Sequence, residues 1–444
     1  MTPLMRICRL LLKQTVCGLF ISMLLLSNTA ISRGANKPNI LLILADDVGC
    51  EPLGCYGGES FKTPNLDKLA MSGMKFEHCY SMPVCHPSRM ALMTGKYPFR
   101  MKAKWGSFPK EEESGSIGNI MKKAGYATAV AGKWQLSLMK KDRQQPKRMG
   151  FDQWCLFGWH EGARFHNPMI YQNGEVRKGL ENRYGPEVYV ESLSDFMEES
   201  KRRNKPFFAY YSMALAHDVT DDLKWQVPYV PGKDRWMNYG EMIVSMDDMV
   251  GKLMASLERF NLRENTVVFF TGDNGTAARS KLRHLGKSGK KYEYEKVVVR
   301  QNGKNMPGGK GLLNDRGTRV PLLASWPGKV AAGKVNRNLV DFSDWLPTLA
   351  ELAESKLPEK PKIDGKSFVS TMLGKSDHER EFAFAESRGS RAFVRNQSYK
   401  LYASGKMFNV TIDPEEKSSL RPEKAPEIHK RLKDALKKLA FPNK

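Results

Sequence analysis

Two pairs of oxygen-bearing side chains each follow a short apolar run, and together they could hold a hard metal ion. The four side chains are Asp46 and Asp47 after residues 39–44, and Asp273 and Asn274 after residues 266–270. Carboxylate and amide oxygens, with no Cys or His among them, suit Ca²⁺ or Mg²⁺ rather than zinc. Taken singly, either pair would be interpreted as a turn or a helix cap. Two pairs on separate strands favour a metal site, because adjacent carboxylates repel unless a cation lies between them.

The most specific segment is CHPSR at residues 85–89, followed by Thr94 and Gly95. A lone cysteine near an arginine would be interpreted as a buried structural cysteine. Here every position of a C-x-P-S-R…T-G hallmark is filled, and the chain resembles the type I sulfatases of the alkaline phosphatase superfamily. Flanking segments resemble that family in its own order: residues 45–49, 63–70, 132–134, 271–275, 310–311 and 317–321.

The resemblance implies a nucleophile made from Cys85. In the family, a separate formylglycine-generating enzyme oxidises the motif cysteine during export, and the hydrated aldehyde ligates a calcium ion. A diol oxygen acidified by a divalent cation is a competent nucleophile towards sulfur. The second hydroxyl then lets the sulfated intermediate release sulfate and re-form the aldehyde, which a serine could not do.

The resemblance also assigns the remaining site residues. Arg89 is expected to stabilise the diol and hold the motif helix, and Lys133 and Lys310 are expected to bind the sulfate oxygens. His217 is expected near the leaving oxygen, as a general acid. Without the resemblance, Lys133 would be interpreted as a surface lysine and His217 as a loop histidine. The implied ligands of Ca²⁺, preferred over Mg²⁺, are Asp46, Asp47, the group made from Cys85, Asp273 and Asn274.

One departure from the family pattern concerns proton transfer. The family usually places a histidine beside the diol where this chain has Gln135. A glutamine can hydrogen-bond the diol or substrate but cannot act as a base at neutral pH. The candidates for a replacement base are His86, His160 and His166, which the sequence does not rank.

Two further departures lie nearer the carboxyl end of the predicted site. The pair Asp315-Arg316 replaces an acidic residue and a glycine, which is expected to reshape the substrate rim. Residues 281–310 carry nine Lys or Arg and only two acidic residues, Glu293 and Glu295. This stretch is interpreted either as a basic rim that attracts a polysulfated glycan or as a disordered solvated insertion.

The apolar runs predict the elements that position these residues. Residues 39–44, 126–131, 206–213 and 266–270 form buried-type strands, and helices are expected at 65–72, 117–124, 188–202 and 239–260. The pattern predicts an α/β fold with a large, mostly parallel sheet sandwiched by helices. Ligands of such folds bind beyond the carboxyl ends of the strands, where the acidic pairs, Lys133 and His217 fall.

The last part of the chain changes pattern. Residues 391–403 and 406–411 are typical of antiparallel strands, and residues 426–439 of a basic amphipathic helix. We therefore expect a signal peptide at 1–34, a catalytic α/β domain at 35–375, and a small C-terminal α+β subdomain with an antiparallel sheet at 376–444.

The expected signal peptide determines where the protein is found. A basic start is followed by an apolar run at residues 16–26, which is too short to span a bilayer. The protein is therefore expected to be secreted or periplasmic, without a membrane span after signal removal. Of seven cysteines, Cys8 and Cys17 leave with the signal. Five remain, with Cys85 as the odd one and the pairing of the others left open.

The charge indicates the partner. The chain has 71 Lys+Arg against 48 Asp+Glu, a net charge of +23, which suits a polyanion or simply a solvated basic surface. No zinc finger, bZIP or RNP-type motif supports nucleic acid. A sulfated carbohydrate is expected, with aryl sulfates as small substrates. The alternatives are a phosphoesterase of the same superfamily, disfavoured because those usually use Ser or Thr with two zinc ions, and a non-catalytic binder of sulfated glycans.

Overall fold

The apolar runs of the sequence form the central strands of a ten-stranded sheet. The structure is a computed structural model, and it describes residues 37–158, 161–218, 238–284, 292–357, 362–375, 380–387, 391–439 and 441. The expected signal peptide at 1–34 and His160 lie outside these residues. Residues 38–444 belong to one unit, so the expected boundary at 375/376 stays a prediction.

The strands of the described chain are, in order, β1 Asn39–Ala45, β2 Met74–Tyr80, β3 Ala127–Gly132, β4 Gln153–Phe157, β5 Ile170–Gln172, β6 Glu175–Val176, β7 Phe207–Ser212, β8 Thr266–Gly272, β9 Arg279–His284, β10 Tyr292–Lys296, β11 Val298–Gln301, β12 Lys304–Pro307, β13 Arg319–Ser325, β14 Lys334–Asp341, β15 Ala383–Ser387, β16 Arg391–Arg395, β17 Tyr399–Tyr402 and β18 Met407–Asn409. The helices are α1 Pro64–Met71, α2 Cys85–Thr94, α3 Lys110–Glu113, α4 Ile117–Lys123, α5 Gln145–Arg148, α6 Gly185–Arg202, α7 Tyr239–Arg259, α8 Asp315–Thr318, α9 Trp345–Leu352, α10 Val369–Met372 and α11 Pro426–Leu439.

The large sheet has the order β14-β2-β13-β8-β1-β7-β3-β4-β5-β6. Strands β8, β1, β7, β3 and β4 are parallel to their neighbours in this series. Strand β13 runs antiparallel between β8 and β2, and β5 runs antiparallel beside β4. The prediction of a mostly parallel sheet is therefore confirmed, and the four predicted strands are β1, β3, β7 and β8 with ends shifted by one or two residues.

Helices cover both faces of this sheet, as predicted. Along β1, Leu41 and Ile43 point into a core shared with α1, α6 and α7, whereas Ile40 and Leu42 point into a core shared with α2, α4 and α9. Successive side chains of a strand face opposite sides, so a strand covered on both faces must be apolar throughout. This is why the run at β1 does not alternate with polar residues.

The C-terminal region forms a second sheet in the order β15-β16-β17-β18, antiparallel throughout. Helix α11 packs on it through Leu432 and Ala435, which lie in a third core. The predicted antiparallel sheet and closing helix are confirmed. Strand β15 was not predicted.

The basic stretch 281–310 and the cysteines have definite structures where they are described. Strands β9 and β10 pair as one antiparallel ribbon and β11 and β12 as another, so the described part of the stretch is folded rather than disordered. The five described cysteines are all free, so no pair among them forms a disulfide. No helix in the described ranges has the length and apolarity needed to cross a bilayer.

The expected effect of Asp315 and Arg316 on the substrate rim stays a prediction, and Asp315 itself connects the two sheets. Its carboxylate lies 2.9 Å from Arg395 Nη1 and 2.7 Å from Lys400 Nζ, both on the C-terminal sheet. Arg395 and Lys400 are 2% and 0% exposed, so they depend on this carboxylate and on Glu416 for charge compensation. The expected acid at residue 315 is thus a structural ion-pair partner.

Asp315→Ala should lower the free energy of unfolding by about 3 kcal/mol, because it leaves buried cations short of a partner. Burial acts to raise the pKa of Asp315, but Lys400 and Arg395 outweigh it and hold the pKa well below its ordinary value. The stabilisation is therefore present above about pH 4 and is lost as the pH falls further. Urea unfolding at pH 7 and pH 3.5 measures both effects.

The matched control for this change is Glu415→Gln, which removes an exposed ion pair with Lys417. It should leave the free energy of unfolding nearly unchanged, because water and salt screen an exposed ion pair. Equal midpoints for Asp315→Ala and the wild type would show that the ion cluster does not join the two sheets.

Candidate active site

The candidate metal ligands meet because strand register places the ends of β1 and β8 side by side. Ala45 pairs with Gly272 at the last position of both strands. Asp46 and Asp273 are therefore the residues that directly follow these two adjacent strands. The Asp273 backbone N–H donates to the Ala45 carbonyl at 2.9 Å. All four predicted ligands are buried, at 2% exposure or less. The structure brings together the two acidic pairs that the sequence separates by more than 220 residues.

Asp47 and Asn274 complete this cluster. The Asp47 backbone N–H donates to Asp273 Oδ1 at 3.2 Å, and Asn274 Nδ2 donates to Asp47 Oδ1 at 2.9 Å. Asp47 has a φ of 63°, a left-handed conformation that Asp tolerates better than most residues. This turn directs the Asp47 carboxylate back towards the second pair.

Cys85 is the first residue of α2 and lies at the same edge. Its Sγ, an Asp46 oxygen and an Asp273 oxygen all lie within 4.8 Å of one another. The preceding residue, Val84, is extended, and Gly95 ends the helix in the left-handed conformation at φ 67°. Cys85 is 2% exposed, and burial raises the pKa of its thiol, so the thiol is protonated at neutral pH and weakly nucleophilic.

Arg89, one turn further along α2, fixes that helix to the ends of three strands. Its Nε and Nη2 donate to Asp273 Oδ2 at 3.0 and 2.7 Å. Its Nη1 donates to the Lys133 carbonyl at 3.2 Å and to Ser212 Oγ. A guanidinium can make this fork of contacts because its five donors lie in one plane.

Lys133 follows the last residue of β3 and reaches the cluster from that side. Its Nζ lies 2.5 Å from Asp46 Oδ2, and the side chain is almost fully buried. The preceding Gly132 has a φ of 102°, and a Cβ there would lie 2.0 Å from the Ser212 carbonyl oxygen. Glycine is therefore required for the close approach that directs Lys133 inward.

Lys310 enters from the other side, after β12. Its backbone N–H donates to the Thr276 carbonyl at 2.9 Å, and its Nζ lies 2.7 Å from Asp47 Oδ2. Its side chain is 24% exposed, so Lys310 lies at the mouth of the site, whereas Lys133 lies at its base. Both lysines predicted to bind sulfate thus flank the acidic cluster.

His217 also lies at the mouth of the site. Its Nε2 is 3.8 Å from Asp47 Oδ2, and its Nδ1 is 2.7 Å from the Asp218 carbonyl oxygen. Burial, together with the charge of Lys310, lowers the pKa of His217 to about 3. The imidazole is therefore neutral at neutral pH in this arrangement.

The structure gives the surroundings of Gln135 and of two candidates for the replacement base, His86 and His166. Gln135 is buried with a φ of 58°, and its Oε1 has no hydrogen-bond donor within the described chain. His86 Nε2 lies 2.9 Å from the Ser107 carbonyl oxygen, and burial lowers the pKa of His86 to about 4. The ring of His166 lies 4.9 Å from that of Tyr184. These contacts do not place either histidine against Gln135.

The donor set fits a hard divalent cation. Asp46 Oδ1 and Asn274 Oδ1 are buried and accept no hydrogen bond from any described residue. Burial raises the pKa of Asp273 to about 7, with the charge of Asp46 acting in the same direction. Burial acts to raise the pKa of Asp46 as well, but the charge of Lys133 outweighs it, so that pKa is lowered. Crowded carboxylates with spare oxygen atoms are the arrangement that a cation stabilises.

Three residues around the site were not found from the sequence. Arg164 is 1% exposed, and its Nη1 lies 3.2 Å from His217 Nδ1. Ser212 Oγ donates to the Lys133 carbonyl at 2.6 Å, and the Tyr239 hydroxyl donates to the Asp47 carbonyl at 3.0 Å. Ser212 could have been suspected because it lies next to the last residue of the strand predicted at 206–213, but no local signal marks Arg164 or Tyr239.

Comparison with known proteins gives the family. The chain matches the Sulfatase family over residues 38–355 and the family "N-sulphoglucosamine sulphohydrolase, C-terminal" over residues 309–441. N-acetylgalactosamine-6-sulfatase of Canis lupus familiaris is 32% identical over 388 residues, covering 79% of this chain and 70% of that protein. Arylsulfatase A of Homo sapiens is 31% identical over 463 residues, covering 93% and 84%.

A solved structure agrees over nearly the whole length. The crystal structure of Ps i-CgsB has a TM-score of 0.74 and 26% identity, covering 92% of this chain and 94% of that one. The same protein in complex with k-i-k-neocarrahexaose has a TM-score of 0.72. With the family match spanning the strands, the acidic cluster and α2, this chain belongs to the sulfatase family, the sulfuric ester hydrolases.

Proposed function

We propose that this protein hydrolyses sulfate esters of carbohydrates, and also aryl sulfates, through a hydrated formylglycine made from Cys85, with Ca²⁺ as the metal. The observation that carries the proposal is the position of Cys85 at the start of α2, against Asp46 and Asp273. The carbohydrate part is supported by the names of relatives that act on or bind sugars, N-acetylgalactosamine-6-sulfatase and the Ps i-CgsB complex.

The residues that would hold Ca²⁺ are Asp46, Asp47, Asp273, Asn274 and the oxygen that replaces the sulfur of Cys85. Their oxygens are hard donors, and two of them are buried without a hydrogen-bond donor among the described residues. Calcium accepts six to eight such oxygens in a flexible arrangement, which suits a mixed carboxylate and amide set better than Mg²⁺ does. When bound, the cation supplies Lewis acidity to the nucleophilic oxygen and positive charge to the anionic ester.

The lysines provide the fixed charges that orient the ester. Lys133 and Lys310 approach the acidic cluster from opposite sides and hold their amines 2.5 and 2.7 Å from its carboxylates. Three cationic side chains, including Arg89, balance the three carboxylates, so a divalent cation gives the pocket a net positive charge. In a buried site, pre-oriented cations stabilise developing negative charge far better than they do in water.

His217 is proposed to protonate the leaving oxygen. It lies at the mouth beside Lys310 and Asp47, where the alcohol portion of the ester must leave. The imidazole is neutral with the pocket empty of anion, but a bound sulfate ester places negative charge next to it and favours the imidazolium. The protonated ring can then donate to the leaving group.

Maturation is proposed to occur during export, before folding is complete. Cys85 is 2% exposed, and its helix is tied by Arg89 to the end of β8. A separate enzyme cannot reach a thiol that is buried in this way, so a formylglycine-generating partner would act on the unfolded chain. The proposed secreted or periplasmic location rests on the predicted signal peptide at residues 1–34.

Mass spectrometry of the peptide that contains residue 85, from protein made in its native host, tests this function directly. We expect the aldehyde or its hydrate in place of the thiol, and turnover of an aryl sulfate by the same sample. Cys85→Ala should reduce that turnover by at least about 1,000-fold, because the nucleophile is removed. An intact thiol in a sample with no sulfatase turnover would contradict the proposal.

The metal prediction is tested by thermal unfolding with and without calcium after chelation. At a Ca²⁺ concentration of 100 times its Kd, the folded state should gain about 2.7 kcal/mol, seen as a rise in Tm. Asp46→Asn should abolish most of this rise, because it removes a charged ligand. Glu59→Gln, which alters an exposed carboxylate paired with Arg300, should keep it. The same rise in wild type and Asp46→Asn would exclude this cluster as the calcium site.

Gln135 favours the alternative of a non-catalytic glycan binder, and its replacement separates the two functions. Gln135→His should raise turnover of an aryl sulfate by about tenfold or more, because it supplies the base that the family usually has. Histidine also tolerates the left-handed backbone found at this position. The gain should increase with pH, since the base acts in its neutral form. Gln135→Asn, which adds no base, should give no gain. Unchanged or lower turnover in the histidine variant would show that another group already takes the proton.

A further inference from the structure

A cavity of about 770 Å³ lies beside the start of α2 and is not explained by the reaction itself. Its lining includes Val84, which precedes Cys85, and His86 and Pro87, which follow it. It also includes Gly311, which follows Lys310, and the Gly311 backbone N–H donates to the Pro83 carbonyl at 2.8 Å. The cavity is therefore lined by the chain neighbours of Cys85 and Lys310, although these two residues are not themselves part of the lining. Its volume is within the range of about 300–1,000 Å³ typical of small-molecule sites.

One wall of this cavity is aromatic. Trp105 is 57% exposed although it lines the cavity, and its ring lies 5.2 Å from that of His86. His86 is held by the Ser107 carbonyl oxygen at 2.9 Å, and Phe99 adds a second aromatic ring to the lining. An exposed indole in a concave site offers a broad, rigid face against which the C–H face of a sugar ring can pack.

The lining of the cavity also carries two cationic side chains. Lys102 and Arg391 are both exposed, and neither forms an ion pair with any residue that the structure describes. The polar contact of the Arg391 side chain is a 3.5 Å hydrogen bond to Ser387 Oγ. By contrast, the nearby Arg100 is already paired with Asp364 at 2.8 Å. Two unpaired cations at the rim of a cavity attract an anion.

The acidic group of the lining, Glu386, forms no ion pair with Lys102 or Arg391 in the described structure. Glu386 is 4% exposed, and its carboxylate accepts the Phe99 backbone N–H at 2.6 Å. This contact fixes the carboxylate to the backbone of the cavity wall. Lys102 and Arg391 thus remain available to an external group.

We propose that this cavity binds the sugar unit adjacent to the sulfated position, that Trp105 packs against its ring, and that Lys102 and Arg391 bind a second anionic group on it. The inference rests on the proposed function, because it assigns the alcohol side of the same ester. The substrate class is an acidic oligosaccharide that carries a carboxylate or a further sulfate besides the ester that is cleaved. Both groups present the same chemistry, a compact anion with several acceptor oxygens.

The experiment measures kcat/KM of the wild type and of one double variant on four sulfate esters. The substrates are a sulfated disaccharide with a uronate, a disulfated disaccharide, a neutral monosulfated disaccharide and an aryl sulfate. Lys102→Gln/Arg391→Gln should lower kcat/KM at least about tenfold on one or both acidic disaccharides, chiefly through KM. On the neutral disaccharide and the aryl sulfate the change should be less than about twofold. A loss on the uronate substrate alone identifies a carboxylate as the group bound, and a loss on the disulfated one alone identifies a sulfate.

Two further variants complete the comparison. Trp105→Ala should lower kcat/KM on all three disaccharides about tenfold, because it removes the ring-packing face. Lys104→Gln is the matched control, since Lys104 is an exposed lysine of the same loop that does not line the cavity. It should leave all four substrates unchanged. Equal losses on all four substrates in the double variant, or no loss on either acidic disaccharide, would overturn the proposal.

Calorimetric binding of the acidic disaccharides without the scissile sulfate separates this inference from the sulfatase mechanism. If wild-type protein turns over none of the four esters, the proposed function fails and the cavity is judged by binding alone. If the double variant binds the acidic disaccharides at least about tenfold more weakly than Lys104→Gln does, the result supports binding in this cavity. Equal binding by the two variants overturns it.

Discussion

Three carboxylates, those of Asp46, Asp47 and Asp273, are buried in one cluster, and the rest of the site is organised around that fact. Burying a single carboxylate is expensive unless it is paired, and burying three together adds mutual repulsion. Arg89, Lys133 and Lys310 each bring one positive charge into this cluster from a different segment of the chain. The interaction that balances the acids therefore also gathers the cations that an anionic ester needs, so charge compensation in the fold and substrate recognition use the same side chains.

Strand register is what makes this compensation possible. Gly132 pairs with Ser212, Leu44 with Ser212 and Ala45 with Gly272, so β3, β7, β1 and β8 all end at nearly the same level. A slip of one residue in β1 would turn its alternate side chains to the other face and move Asp46 away from Asp273. The two apolar cores resist such a slip because β1 is packed on both sides. The precision of the site is thus derived from the packing of residues that never touch a ligand.

Much of this could be predicted from local sequence, and the rest failed for identifiable reasons. Strands β1, β3, β7 and β8 were predicted because both of their faces are buried, which leaves an unbroken apolar run. The acidic pairs were predicted because they follow such runs. The antiparallel insertion of β13 was missed because strand direction is set by pairing with distant residues, not by composition. The ion pairs of Asp315 were missed because its partners, Arg395 and Lys400, lie about 80 residues further along the chain. Arg164 was missed for the same reason.

The cations of the molecule fall into two physical classes, and the difference explains why net charge alone says little about function. Lys133 and Arg89 are buried and already paired with acids, so their positions are fixed before any ligand arrives. Preorganised charges of this kind act on the reacting group, since they need not be reoriented during the reaction. Lys102 and Arg391 are exposed and form no ion pair among the described residues, so they are available to an anionic partner. Each such exposed contact contributes only a modest binding free energy. Charges of the first class are suited to lowering a barrier, and charges of the second class to choosing which ester reaches it.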